Sequence, residues 1–96
     1  MNYELARDAE NDLRGYLYYI AVTNLPAAGR EGMRMDAELT KLASSNLNGA
    51  IVQIQGWPRP TNRHFIHPFN VYYERRPTGL YVLRLHHHAR QPIELL

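Results

Sequence analysis

Between Arg63 and Arg90 two apolar runs, Phe65–Tyr73 and Leu80–Leu85, flank the segment Arg76-Pro77-Thr78-Gly79. Both runs are rich in Val, Ile, Leu, Phe and Tyr, which suit a pleated, half-buried surface. Pro77 presets one turn dihedral and Gly79 tolerates a positive one, so the chain reverses there. The pattern predicts a β-hairpin, entered by a further strand over Arg63–His67. On the second strand, period two puts Tyr81, Leu83 and Leu85 on one face and Leu80, Val82, Arg84 and His86 on the other. Apolar residues on both faces predict a central strand.

Upstream the period changes. Asn2–Leu5 alternates and predicts a short edge strand. Asp8 stands at a helix N-cap position, with Glu10 and Asp12 in the first turns, where acids favour the helix dipole. Ala9, Leu13, Tyr16, Leu17 and Ile20 then follow in one helical stripe. Asn24-Leu25-Pro26 breaks that stripe and opens a second helix, with Asn24 as cap and Pro26 in its first turn. Ala28, Gly32, Met35, Leu39, Leu42 and Ala43 make its apolar face, to about Ser45. A link of about two or three residues predicts an antiparallel helical hairpin. Ala50–Gln55 reads as a strand or as an apolar loop over the core. Gly56-Trp57-Pro58-Arg59-Pro60 reads as a loop. The apolar tail within Gln91–Leu96 is expected to dock on the domain or on a partner.

These elements define a single α+β domain over residues 1–96. It comprises an N-terminal edge strand, an antiparallel helical hairpin, and a three- to four-stranded, mainly antiparallel twisted sheet with helices on one face. Composition narrows the chemistry. There is no cysteine, so no disulfide, thiolate nucleophile or Cys-type zinc site. No apolar run approaches the roughly 20 residues of a membrane span, and the first residues lack a signal-peptide core, so a cytoplasmic protein is expected. The net charge of +2 is too small to hold nucleic acid by bulk attraction. Its distribution is uneven. From Arg59 to Arg90 lie six Arg, all five His and one acid, Glu74, whereas residues 1–58 carry seven of the nine acids.

Three stretches together resemble the RelE/ParE superfamily of small type II toxins. They are the opening strand running into ARDAENDLRGYLYYIA, the helical break at Leu25-Pro26-Ala27-Ala28, and RHFIHPFNVYYER leading to VLRLHHHARQP. The resemblance spans nearly the whole chain and departs at Asn46–Trp57, where the family commonly has a short Phe-Pro turn. It implies a cognate antitoxin as partner and one of two activities. ParE-like members bind DNA gyrase and poison it on cleaved DNA. RelE-like members cut mRNA in the ribosomal A site.

A metal-free ribonuclease needs a base, cations and an acid converging on one phosphate. The resemblance places Arg63 as a phosphate cation. Arg84, His86, His88 and Arg90 lie on or just past the last strand, and an imidazole titrating near neutrality serves as acid or base. The candidate catalytic set is therefore Arg63, Arg84, His88 and Arg90, with His86 as an alternative imidazole. Arg84 and the histidines also have structural readings. Arg84 is equally an ion-pair partner for Glu74 or a helix acid. The His86-His87-His88 run is a solvated strand end, since neighbours on a strand point to opposite faces and cannot all hold one metal. Tyr72 and Tyr73 read as packing residues. Several RelE-like nucleases carry a C-terminal Tyr and Lys-rich helices. This chain has no aromatic after Tyr81, and Lys41 is its single Lys. The expectation is thus a gyrase-binding toxin without cofactor, metal or membrane contact. The alternatives are a ribosome-dependent mRNA endoribonuclease and an inactive antitoxin-binding domain.

Overall fold

The computed structural model describes residues 2–90. The element order is β1 (Tyr3–Leu5), α1 (Arg7–Thr23), α2 (Leu25–Ser44), β2 (Ala50–Val52), β3 (Thr61–Ile66), β4 (Phe69–Arg76) and β5 (Gly79–His87). The α+β class and the two helices match the expectation from the sequence. The sheet does not: it has five strands in the order β1-β5-β4-β3-β2, and it is mixed. β2 through β5 form an antiparallel meander, but β1 lies parallel to β5. Leu80 N–H donates to Asn2 O at 3.0 Å and Ala6 N–H donates to Val82 O at 2.8 Å, so the edge strand is held by a partner far along the chain.

Two further boundaries differ from the sequence pattern. The run Phe65–Tyr73 is split by a turn at His67-Pro68, which gives separate strands β3 and β4. At the start of α1 the N-cap is Ala6, without a side-chain cap, and Asp8 lies inside the first turn. Of Ala50–Gln55, Ala50–Val52 forms a strand on the outer edge. The expected docking of Gln91–Leu96 lies outside the described residues.

The helical hairpin is tighter than predicted, with Asn24 alone between the helices. Its side chain accepts the Ala27 N–H at 3.1 Å and so caps α2. Both helices cover one face of the sheet. Ala9, Met35, Leu39, Leu42 and Ala43 pack against Phe69, Val71, Tyr73, Leu80, Val82 and Leu85. Full burial of each large apolar side chain contributes on the order of 1.5–3 kcal/mol. Two polar ties fix the helices to the sheet, Tyr3 Oη to Asp36 at 2.6 Å and Arg34 to the His67 carbonyl at 2.7 Å, and Tyr16 Oη to Glu31 at 2.6 Å joins α1 to α2. At the other end, Arg75 reaches the carbonyls of Leu42 and Ala43 that α2 leaves open. Tyr73 Oη accepts the Gly49 N–H at 2.9 Å and donates to Leu47 O. These two side chains hold the turn from α2 into β2 against the sheet.

Candidate functional site on the open face of the sheet

β5 does not keep period two. Tyr72 pairs with Arg84 but Tyr73 pairs with Val82, so Leu83 is an extra residue in a β-bulge. Val82 and Leu85 therefore both face the helices, although they stand three positions apart, an odd spacing that strict alternation would put on opposite faces. The bulge also re-aims Arg84. Its Nε and Nη2 donate to the Asp12 carboxylate on α1 at 2.8 and 3.1 Å, and Asp12 Oδ2 accepts the Leu85 N–H at 3.0 Å. Hydrogen bonding to Asp12 raises the Arg84 pKa further above its ordinary value. Of the two acids considered as partners for a structural Arg84, Glu74 or one on a helix, the pair is made with a helix acid, Asp12.

The face away from the helices carries cross-strand rows. Arg63, Tyr72 and Arg84 occupy one row of β3, β4 and β5, and Phe65, Asn70 and His86 the next. Arg63 stands two strand spacings from Arg84 in backbone position, about 10 Å. Tyr72 between them is 3 % exposed. The Arg63 side chain has no ion-pair partner among the described residues. The Arg84 guanidinium, in contrast, is drawn to the edge at α1.

Beyond the second row lies an imidazole cluster. His88 is 5.6 Å from His67, 6.0 Å from Phe65 and 5.1 Å from His87, ring centre to ring centre. His87 turns to the helix side, edge-on to Phe69. Burial lowers its pKa, aided by His88 and Arg90. His86 Nε2 is buried with no hydrogen-bond partner among the described residues. Arg90 follows in the turn after β5, its N–H bonded to His87 O. The expected set Arg63, Arg84, His88 and Arg90 is thus strung along the open face and its far end. Arg84 is committed to Asp12, and Phe65 stands between Arg63 and His88.

A second feature of the open face escaped the sequence pattern. Arg59 lies over the Trp57 ring at 5.2 Å and pairs with Glu74; Arg76 pairs with the same Glu74 and lies over Tyr81 at 3.7 Å. The two guanidiniums hold Glu74 below the usual carboxylate range against the opposing effect of its burial. Glu74, considered above as a partner for Arg84, is taken by these two. The loop Gly56–Pro60 gave no hint of this, because the pairing depends on a strand some fifteen residues away.

No group of three or more His, Cys, Asp or Glu among the described residues is placed to hold a metal ion. No helix among them is long and apolar enough to cross a membrane. The comparisons with known proteins give no match, either to a protein-family model or to a curated protein.

Proposed function

We propose that this chain is the toxin component of a type II toxin-antitoxin system of the RelE/ParE kind, acting in the cytoplasm. It arrests growth by binding and poisoning DNA gyrase, and a cognate antitoxin neutralises it. Support comes from the order strand, helical hairpin, antiparallel meander and from arginines on the helix-free face. The antitoxin lays an apolar helix or strand on the hairpin and sheet.

The observation that carries the choice of a binder over a nuclease is the Arg84–Asp12 pair. A phosphorane needs cations free to meet it. Here one of the candidate cations is already neutralised, and Arg63, His88 and Arg90 are spread along the sheet. Arg63 supports the alternative: a half-buried arginine without an ion-pair partner among the described residues suits a phosphate. That alternative is a RelE-like, ribosome-dependent, metal-independent mRNA endoribonuclease. An inactive antitoxin-binding domain is the remaining one.

Induction of the chain alone in a bacterium tests the proposal. Filamentation with a DNA-damage response, together with inhibition of purified gyrase, is the expected outcome. A rapid halt in translation with mRNA cut at ribosome-bound codons would replace gyrase by the ribosome. Unimpaired growth would leave only the inactive domain.

A further inference from the structure

β1 ends at Leu5, and its last bond to β5 is Ala6 N–H to Val82 O. β5 runs on to His87 with no strand beside that edge among the described residues. The Leu85 N–H, bonded to Asp12, shows that Leu85 turns its amide away from β4. Alternation along a strand then aims the Leu85 carbonyl and the His87 N–H the same way. Main-chain groups on such an edge are what an added strand uses.

That edge borders a groove of about 880 Å³ between the C-terminal half of α1 and the end of β5, with Tyr16, Tyr19, Val22, Leu85, His86 and Arg90 among its lining residues. Tyr19 is 80 % and Val22 68 % exposed, so apolar side chains on α1 stand uncovered beside an open sheet edge. The charge of the groove has one sign to offer. Its acid, Asp12, is consumed by Arg84 and Leu85. Arg90 is exposed and has no ion-pair partner among the described residues, whereas His86 Nε2 is buried and offers the groove no exposed charge.

We propose that this groove docks an extended segment of a partner protein, with alternating apolar and acidic side chains, which adds as a strand to the open edge of β5. Alternation follows from the pleat: one set of side chains faces α1 and the other faces Arg90. A second copy of this chain fits poorly, because isologous pairing would set the same cationic edge against itself. Identifying the partner as the antitoxin rests on the toxin reading; the docking does not.

The test is selection of displayed random peptides of about twelve residues on the full chain, followed by titration of the synthetic consensus peptide. The expected consensus alternates apolar and acidic residues. Val22→Arg and Arg90→Glu should each weaken its binding by about tenfold or more, and acid-to-Lys peptides should recover affinity for Arg90→Glu. N-methylation should abolish binding at every second amide only. Both substituted positions are exposed, and an unchanged circular dichroism spectrum confirms the fold of each variant. Absence of binders, binders indifferent to both substitutions, a basic or helical consensus, or self-association lost in Val22→Arg would each overturn the proposal. A harmless chain that still binds the consensus peptide would refute the toxin reading and leave the docking site standing.

Discussion

Arg84 and Asp12 meet in a two-pronged ion pair, 2.8 and 3.1 Å, that joins the last strand to the first helix. Asp12 also caps the Leu85 N–H. Asp12→Ala strips a part-buried guanidinium and a backbone donor of their acceptor at once, for an expected loss of about 1–3 kcal/mol. Asp12→Asn, which keeps a carbonyl oxygen for Leu85, should lose less. Urea unfolding of both variants checks this. An Asp12→Ala chain as stable as its parent would show that the pair does not hold the helix to the sheet.

Arg63 sits beside Tyr72 on the open face without an ion-pair partner among the described residues. Arg63→Ala is therefore expected to leave stability within about 0.5 kcal/mol of the parent. Under gyrase poisoning, growth arrest should persist in this variant. If arrest and mRNA cleavage vanish together while the urea midpoint stays put, Arg63 is a phosphate ligand and the nuclease is the true activity.

Tyr73 is fully buried, and its hydroxyl bridges Gly49 N–H and Leu47 O. Tyr73→Phe keeps the ring but leaves both backbone groups without that partner. The expected cost is about 1–3 kcal/mol, read from the urea midpoint. Faster amide exchange at Gly49 would locate the loss in the segment between α2 and β2.

Glycine substitutions should split by sign. Gly79 has φ +135°, and a Cβ there would collide with the Asn2 backbone. Gly79→Ala is expected to destabilise by about 1–3 kcal/mol and to unpair β1, seen as lost amide protection at Leu80. Gly15 on α1 has nothing within 4 Å of an added Cβ. Gly15→Ala should therefore stabilise by about 0.5–1 kcal/mol.

The Tyr16–Glu31–Arg34 network sets a pH window. Hydrogen bonds from Arg34, aided by Tyr16, hold Glu31 at about 2, below its ordinary 4.5. The folded chain then binds fewer protons than the unfolded one between those values, so this contribution is present above pH 4.5 and lost as pH falls toward 2. Burial, then Glu31, pushes Tyr16 from 10.0 up to about 12, so its contribution is present below pH 10 and lost as pH rises through 12. The stability gap between the parent and Glu31→Gln should narrow steadily on acidification. A gap independent of pH would mean that Glu31 is not paired in solution.

The sequence by itself determined what is local. The stripe Ala28, Met35, Leu39, Leu42 and Ala43 specified the buried face of α2, Asn24 its cap, and Pro77 to Gly79 the β4–β5 turn. Helical period, capping and turn chemistry act within a few residues, so they can be read without knowing the rest of the fold. Only the tertiary structure decided that β1 runs parallel to β5, that Leu83 bulges, and that Arg84 turns to Asp12 seventy-two residues away. Each of these depends on which strand lies beside which, and in what register. A one-residue bulge reverses every face assigned beyond it, and no local pattern in Leu80–His87 records where that residue is spent.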